Sequence, residues 1–101
     1  MTKTILLTYT FVVEFRGGTY CSQVQAINVE DAIVAWIEKL RADKSEIKQL
    51  GDKTIDKIIV FIKDKDHQPI PLTSLVNSWF THYPTNQGSF SVNIIQTDTS
   101  I

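Results

Sequence analysis

Few side chains in this sequence are suited to covalent or acid–base chemistry. Cys21 is the only cysteine, and His67 and His82 are the only histidines. A nucleophilic cysteine needs a neighbouring base or cation that stabilises the thiolate. The strand pattern described below places Cys21 beside Glu14, and a carboxylate disfavours a nearby thiolate. We therefore interpret Cys21 as a structural or incidental residue, and we expect no residue to be catalytic.

Metal binding is the second chemistry to consider. Asp64-Lys65-Asp66 is faintly similar to the start of a calcium-binding loop, but such a loop needs further oxygen ligands and a closing glutamate. In this sequence Pro69 and Pro71 follow instead. One cysteine and two histidines do not complete a four-ligand zinc site. We expect neither a metal nor another cofactor.

Two residue pairs that resemble functional motifs are explained by local structure. Gly17-Gly18 has no helix behind it and no P-loop or dinucleotide-binding pattern, so it is typical of a tight turn. Glu30 and Asp31 would point about 100° apart on a helix, and both suit the positive end of the helix dipole. No glycine-framed serine indicates acyl transfer. We expect no enzymatic activity; an enzyme without a recognisable motif is a second alternative.

The chain is organised around residues 9–40, whose pattern predicts a strand, a turn, a strand and a helix. Apolar residues occupy alternate positions before the turn: Ile5, Leu7, Tyr9, Phe11, Val13 and Phe15. This period of two is typical of a strand with one buried face. Two adjacent glycines then favour a two-residue hairpin turn at Gly17-Gly18.

That turn determines which residues face each other across the hairpin. Phe15 would pair with Tyr20, and Glu14 would pair with Cys21. One face of the hairpin is then apolar and joins the core, whereas the other face is mostly polar. The polar face is our candidate binding surface: Glu14, Cys21, Gln23 and Gln25.

A helix is predicted directly after the hairpin. Asn28 suits its N-cap, because the side-chain oxygen can accept a hydrogen bond from a free N–H of the first turn. Apolar residues from Val29 to Leu40 recur at helical spacing and form one stripe that faces the sheet. The expected core combines the hairpin, the helix and one later aromatic residue: Phe11, Phe15, Tyr20, Val24, Ile33, Trp36, Leu40 and Trp79.

The segment after this helix is more polar. Ser45 is suited to cap a short second helix that ends at Gly51. The continuous apolar run Ile58–Ile62 predicts a strand. Pro69 and Pro71 should keep the following segment extended.

The C-terminal part predicts two paired strands. Residues 72–83 fit either a helix or a strand, and their aromatic and β-prone residues favour a strand over 76–83. Residues 89–97 predict the partner strand. Three residues of that strand should point inward: Phe90, Val92 and Ile94. Residues 97–101 are expected to form a disordered tail.

The element order β-β-α-(α)-β-β-β predicts the α+β class. We expect a mainly antiparallel sheet of about five strands with helix packed on one face, in a single domain over residues 1–101. No run approaches the roughly 20 apolar residues of a membrane span. Because a lone thiol also suits a reducing compartment, we expect a cytoplasmic protein that does not contact membrane.

Charge and topology favour a protein as the binding partner. A net charge of −1 provides no overall field that attracts a phosphate backbone. Nucleic-acid binding is the first alternative, through a basic patch: Arg16, Lys39, Arg41, Lys44 and Lys48. Acidic neighbours match these cations, whereas a sheet with few strands leaves free edges and a polar face. We therefore expect a protein partner or a homodimer.

The hairpin and helix resemble a family of small single-domain bacterial proteins of uncharacterised function. The similarity lies in Phe15–Val24, with its Gly-Gly-Thr-Tyr turn, and continues through Asp31-Ala32 to Trp36. Asn77-Ser78-Trp79 is similar as well. The resemblance covers about a third of the chain and implies no known activity.

The same unit is more distantly similar to HicB-type antitoxins. Their helices often open with Glu-x-Ala, as Glu30-Asp31-Ala32 does here. The sequence lacks their usual third strand before the helix, with its Pro-Gly-Cys-like segment. Some immunity proteins that neutralise bacterial toxins are also small α+β domains. These similarities imply a non-enzymatic, protein-binding role.

Overall fold

The computed structural model describes residues 5–47 and 50–97. Its strands are β1 (Leu7–Phe15), β2 (Gly18–Ala26), β3 (Ile70–Pro71), β4 (Ser78–Thr85) and β5 (Gly88–Thr97). They form one antiparallel sheet in the spatial order β2-β1-β5-β4-β3. Two α-helices, α1 (Val29–Ala42) and α2 (Asp52–Ile62), cover one face of this sheet, which we call the inner face. The predicted α+β class and element order are confirmed.

The β1–β2 hairpin turns one residue earlier than predicted. The two turn residues, Arg16 and Gly17, have positive φ angles of 51° and 81°, as a type I′ turn requires. The Arg16 guanidinium donates a hydrogen bond to the Gln87 carbonyl oxygen at 2.7 Å. Gly18 opens β2, where the ring of Tyr20 lies so close that any side chain at position 18 would meet it. Arg16 is therefore held in the turn, and Gly18 lies in the strand.

The predicted hairpin register is wrong by two residues as a consequence. Phe15 pairs with Gly18 instead of Tyr20. Because side chains alternate with a period of two, a shift of two leaves every residue on its predicted face. The division of the hairpin into an apolar and a polar face is therefore correct.

Helix α1 begins at its predicted cap and packs with its predicted stripe. The Asp31 N–H donates a hydrogen bond to Asn28 Oδ1 at 2.8 Å. The ring of Trp36 stacks on that of Phe11, with centroids 5.0 Å apart and planes 4° from parallel. The buried residues of the helix are Val29, Ala32, Ile33, Trp36, Ile37 and Leu40. Three of the expected core residues are only half-buried at its margin: Tyr20, Val24 and Trp79.

The predicted strand Ile58–Ile62 is wrong, because these residues form the end of α2. Apolar side chains recur at helical spacing along α2 and pack into the core: Ile55, Ile58, Ile59 and Ile62. Val60 interrupts this pattern and is 66% exposed. Packing of an amphipathic helix on the sheet therefore outweighs the β propensity of the branched residues.

The connection between the helices also differs from prediction. Lys44–Glu46 forms a short 3₁₀ helix rather than an α-helix, and Gly51 is the N-cap of α2 rather than the end of an earlier helix. Arg41 links the helices, since its guanidinium contacts Asp52 at 3.0 Å and Asp56 at 2.7 Å. The hydrogen bond to Asp56 is the main reason that the pKa of Arg41 is raised.

The C-terminal strands agree with the sequence. Residues 78–85 form β4, which confirms the strand alternative, and the inward residues predicted for β5 are buried: Phe90, Val92 and Ile94. Between α2 and β4, a 3₁₀ helix at Lys65–His67 precedes the two-residue β3. Thr97 ends β5, and the rest of the predicted tail, residues 98–101, lies outside the described residues.

Candidate functional site

The face of the sheet opposite the helices, here called the outer face, is not covered by any described segment. On this face no side chain of the five strands is buried, whereas most of their inner-face side chains are. The sheet therefore presents an accessible surface, with neighbouring strands about 4.8 Å apart.

All four residues of the predicted binding surface lie on the outer face and are exposed: Glu14, Cys21, Gln23 and Gln25. One predicted pair among them is wrong. Glu14 lies opposite Thr19, and Cys21 lies opposite Val12. The shift of two residues described above separates Cys21 from the carboxylate, so its cross-strand neighbour is apolar.

Hydrogen bonds between side chains order one end of this face. Gln23 Nε2 donates to Thr10 Oγ1 at 3.0 Å, and Thr10 Oγ1 lies 3.0 Å from Thr97 Oγ1. These contacts connect β2, β1 and β5. A side chain such as Gln23 is thus positioned by the sheet instead of moving freely in solvent.

The middle of the outer face carries a cluster of apolar residues, which sequence reasoning missed. Four residues form this outer patch: Val12, Ile70, Phe80 and Ile95. Val12 and Phe80 flank Asn93 in one cross-strand row, and Ile70 extends that row at the sheet edge. Ile70 is 65% exposed. The signal was present in the sequence as Val12, an apolar residue at a polar position of the alternation.

Charged side chains are almost absent from the strands. None of the five strands contains lysine or arginine, and Glu14 is their only carboxylate. Of the cations proposed for a basic patch, Lys48 lies outside the described residues, and three of the others are engaged away from the outer face. Lys39 pairs with Asp43 at 3.4 Å, Arg41 pairs with two aspartates of α2, and Arg16 donates to a backbone carbonyl.

One cross-strand row does bring together groups that are used in acyl transfer. Ser91 on β5 lies between Glu14 on β1 and His82 on β4. No hydrogen bond among the described residues joins these three side chains, and the serine, rather than the histidine, occupies the middle position. Backbone N–H groups of a central strand bond to neighbouring strands, so none is free to stabilise an oxyanion. The row lacks the geometry of a catalytic triad.

The other candidate chemical residues stay apart. Cys21 on β2 and His82 on β4 are three strands apart, or roughly 14 Å at the usual strand spacing. The Asp64 carboxylate accepts a hydrogen bond from the Asp66 N–H at 3.0 Å and caps a 3₁₀ helix. Within residues 5–47 and 50–97, no three histidine, cysteine or acidic side chains cluster as metal ligands would.

In the described part of the chain, no helix has both the length and the apolar character needed to cross a membrane. Comparison with protein-family models, with curated proteins and with solved structures finds no match to this chain.

Proposed function

We propose that this chain is a non-enzymatic protein-interaction domain that binds its partner through the outer face of the sheet. One observation carries the proposal. The outer face combines an uncovered apolar patch with polar surroundings whose only carboxylate is Glu14, on strands that hold no lysine or arginine. The centres of protein–protein interfaces are depleted of charge in the same way, and their rims are polar.

The area of the outer face is sufficient for a stable contact. Five strands span about 20–24 Å across, and eight to ten residues span about 30 Å along each long strand. The face therefore offers roughly 600–700 Å², close to the ~800 Å² per partner of a standard interface. An exposed apolar patch of this kind on a rigid sheet favours a partner that also brings a flat surface.

Nucleic acid is a poorer match to the same surface. Phosphate binding depends on lysine and arginine, and each neutralised phosphate contributes to affinity. The outer face offers a carboxylate, Glu14, and no cation among its strand residues. A role like that of a bacterial antitoxin or immunity protein in the cytoplasm, which the sequence resemblances imply, is compatible with a protein-binding face that holds no lysine or arginine.

A matched pair of variants tests this proposal. Val12→Lys places an ammonium group in the outer patch, and Val60→Lys makes the same change on the solvent side of α2. Tagged wild-type chain and both variants are used to capture partners from a lysate of the native host, with and without nuclease treatment. We expect a stoichiometric protein that the wild type and Val60→Lys retain, that Val12→Lys loses, and that nuclease does not release.

The captured protein is then purified and titrated against all three chains. A Kd that rises at least tenfold for Val12→Lys and stays unchanged for Val60→Lys supports the outer face as the binding surface. Equal affinity for the three chains refutes it. Partners that disappear with nuclease would instead indicate nucleic-acid binding.

A further inference from the structure

The two edges of the sheet differ in how well they are protected from pairing with another strand. The edge strand β3 has only two residues, contains Pro71 and follows Pro69, and proline has no N–H to donate. The edge strand β2 has nine residues, with neither proline nor a charged side chain. Proteins usually protect a long edge with lysine, proline or a bulge, and the pairing of β2 with β1 is regular throughout.

The backbone of β2 offers free hydrogen-bonding groups along this edge. Across a two-residue hairpin, alternate residues of β2 direct their N–H and C=O groups toward β1, beginning with Gly18. The backbone groups of the residues between them point away from the sheet: Thr19, Cys21, Gln23 and Gln25. No described segment pairs with that side of β2.

We infer that β2 pairs antiparallel with β2 of a second copy of this chain, centred on Ser22. Two five-stranded sheets then join into one continuous sheet of ten strands. The inference rests on the proposed function in treating the chain as a protein-binding domain, and it names a second copy as the occupant of the edge. The outer face stays open and becomes twice as wide.

The centre at Ser22 follows from the backbone pattern. Two residues with free backbone groups lie before Ser22, and two lie after it. In a pairing centred on Ser22, Cys21 therefore faces Gln23 of the second copy, and Thr19 faces Gln25 of the second copy. Each such pair exchanges two bonds, which gives about eight hydrogen bonds in all. Every residue from Gly18 to Ala26 then has a partner.

The side chains also match in this register. On the inner face, Tyr20 lies opposite Val24 of the second copy, and both are half-buried in the single chain. Aromatic and β-branched residues are a favourable cross-strand pair. On the outer face, threonine, cysteine and glutamine meet, and no like charges oppose each other because β2 has none.

A cleft beside the edge has a suitable size for this contact. It measures about 260 Å³ and lies between residues 19–22 of β2 and residues 39–47, with walls formed by Tyr20, Leu40 and Ile47. Sites for small molecules usually measure about 300–1,000 Å³. Val24 of the second copy, which faces Tyr20, lies at this cleft. The cleft therefore accommodates a side chain of the added strand.

The experiment measures mass in solution, under reducing conditions that prevent a disulfide through Cys21. For the wild type at high concentration we expect about 23 kDa, twice the chain mass of 11.5 kDa. The double variant Cys21→Lys/Gln23→Lys puts ammonium groups opposite each other across the edge, and its mass should fall by half. Cys21→Lys/Gln23→Glu puts opposite charges in the same places and should restore the dimer.

A matched control makes the same change away from the edge. Ser91→Lys/Asn93→Lys alters two residues of central β5 on the same face and at the same spacing, and it should remain a dimer. Circular dichroism verifies that each variant is folded. The inference is overturned if the wild type stays at 11.5 kDa at every concentration. It is also overturned if Cys21→Lys/Gln23→Lys remains a dimer.

The two proposals fail separately. A monomer whose captured partner is lost with Val12→Lys refutes the second copy and leaves the outer face as the binding surface. A monomer whose captured partner is lost with Cys21→Lys/Gln23→Lys but retained by Val12→Lys shows that the edge takes a strand of another protein, which also overturns the inference. A dimer that binds nothing through its outer face refutes only the proposed function.

Discussion

The two faces of the sheet are formed by the same strands but differ in how deeply their apolar side chains are buried. On the inner face, large apolar side chains such as Phe11, Phe15 and Phe90 are fully buried beneath the helices. On the outer face, the apolar residues Val12, Phe80 and Ile95 are only half-buried and contact no second layer among the described residues. The fold therefore needs the inner face for its stability, whereas the outer patch adds little to it.

The proposal that the outer patch binds a partner depends on this difference between the faces. Single exposed apolar residues are common on proteins and need no explanation, and the nearly fully exposed Val76 is an example. A cluster of four apolar residues on strands without lysine or arginine is less common. Selection for solubility alone would place charges there, as it does on the exposed sides of α1 and α2.

The largest expected difference in stability is between single lysine substitutions at two adjacent residues of β1. Val13→Lys buries an ammonium group without a partner and should lower the free energy of unfolding by more than about 3 kcal/mol. Val12→Lys puts the same group on the outer face and should cost less than about 1 kcal/mol. Urea denaturation of both variants measures the difference, and similar midpoints would show that the faces are not distinct.

The next largest difference in stability compares one aromatic residue packed on each face of the sheet. Trp36 is fully buried and stacked on Phe11, so Trp36→Ala should destabilise the fold by about 3–5 kcal/mol. Phe80→Ala removes a half-buried ring of the outer patch and should cost less than about 2 kcal/mol. A wild-type denaturation midpoint for Trp36→Ala would contradict the packing described here.

The assignment of residues to faces could be predicted from the sequence, but the register could not. Alternation from Leu7 to Phe15 determines which side chains point inward and can be buried. A slip of two residues preserves the alternation, so the pattern is equally compatible with a turn at Gly17-Gly18. The contacts that place the turn one residue earlier involve Gln87, which is distant in sequence.

Helix α2 was missed because its apolar residues are β-branched and adjacent. Ile58 to Ile62 contains no polar residue to reveal a helical period, and Val60 is apolar although it faces solvent. The helical spacing becomes visible only when Ile55 is included. Tertiary packing determines whether such a segment forms a helix or a strand. Local propensity alone therefore predicted the wrong element.

The candidate binding surface on the outer face could be predicted only in part. Sequence alternation identified its polar members on β1 and β2, such as Glu14 and Gln23. Its apolar members come from β1, β3, β4 and β5, and their proximity depends on the strand order of the sheet. That order is a long-range property that no local pattern contains.

A smaller effect separates two threonines on opposite faces. Thr81 is buried on the inner face, and its side chain interacts with the Tyr83 phenol and opposes the rise of that group's pKa. Thr81→Val removes this interaction and should cost about 1–3 kcal/mol. Thr10 bonds to Gln23 and Thr97 on the outer face, where water can replace those bonds, and Thr10→Val should stay within about 0.5 kcal/mol of wild type. Thermal unfolding of both variants makes the comparison.

The smallest effect appears only at alkaline pH and reports on the inner face. Burial raises the pKa of Tyr83 above its usual value of 10.0, and the hydrogen bond with Thr81 opposes this in part. The folded state therefore holds the Tyr83 proton more tightly than the unfolded state. Its contribution to stability is complete below about pH 10 and is lost as the pH rises from there through the raised pKa of the folded state.

Tyr83→Phe removes this titration, so its stability should fall less steeply than that of wild type above pH 10. Urea denaturation at a series of pH values measures the slope. Phe80→Leu is the control, since it changes an outer-face residue of the same strand and no ionisable group, and it should keep the wild-type slope. If Tyr83→Phe also keeps that slope, the phenol is hydrated in the folded state, and the inner face is less tightly sealed at β4 than its burial indicates.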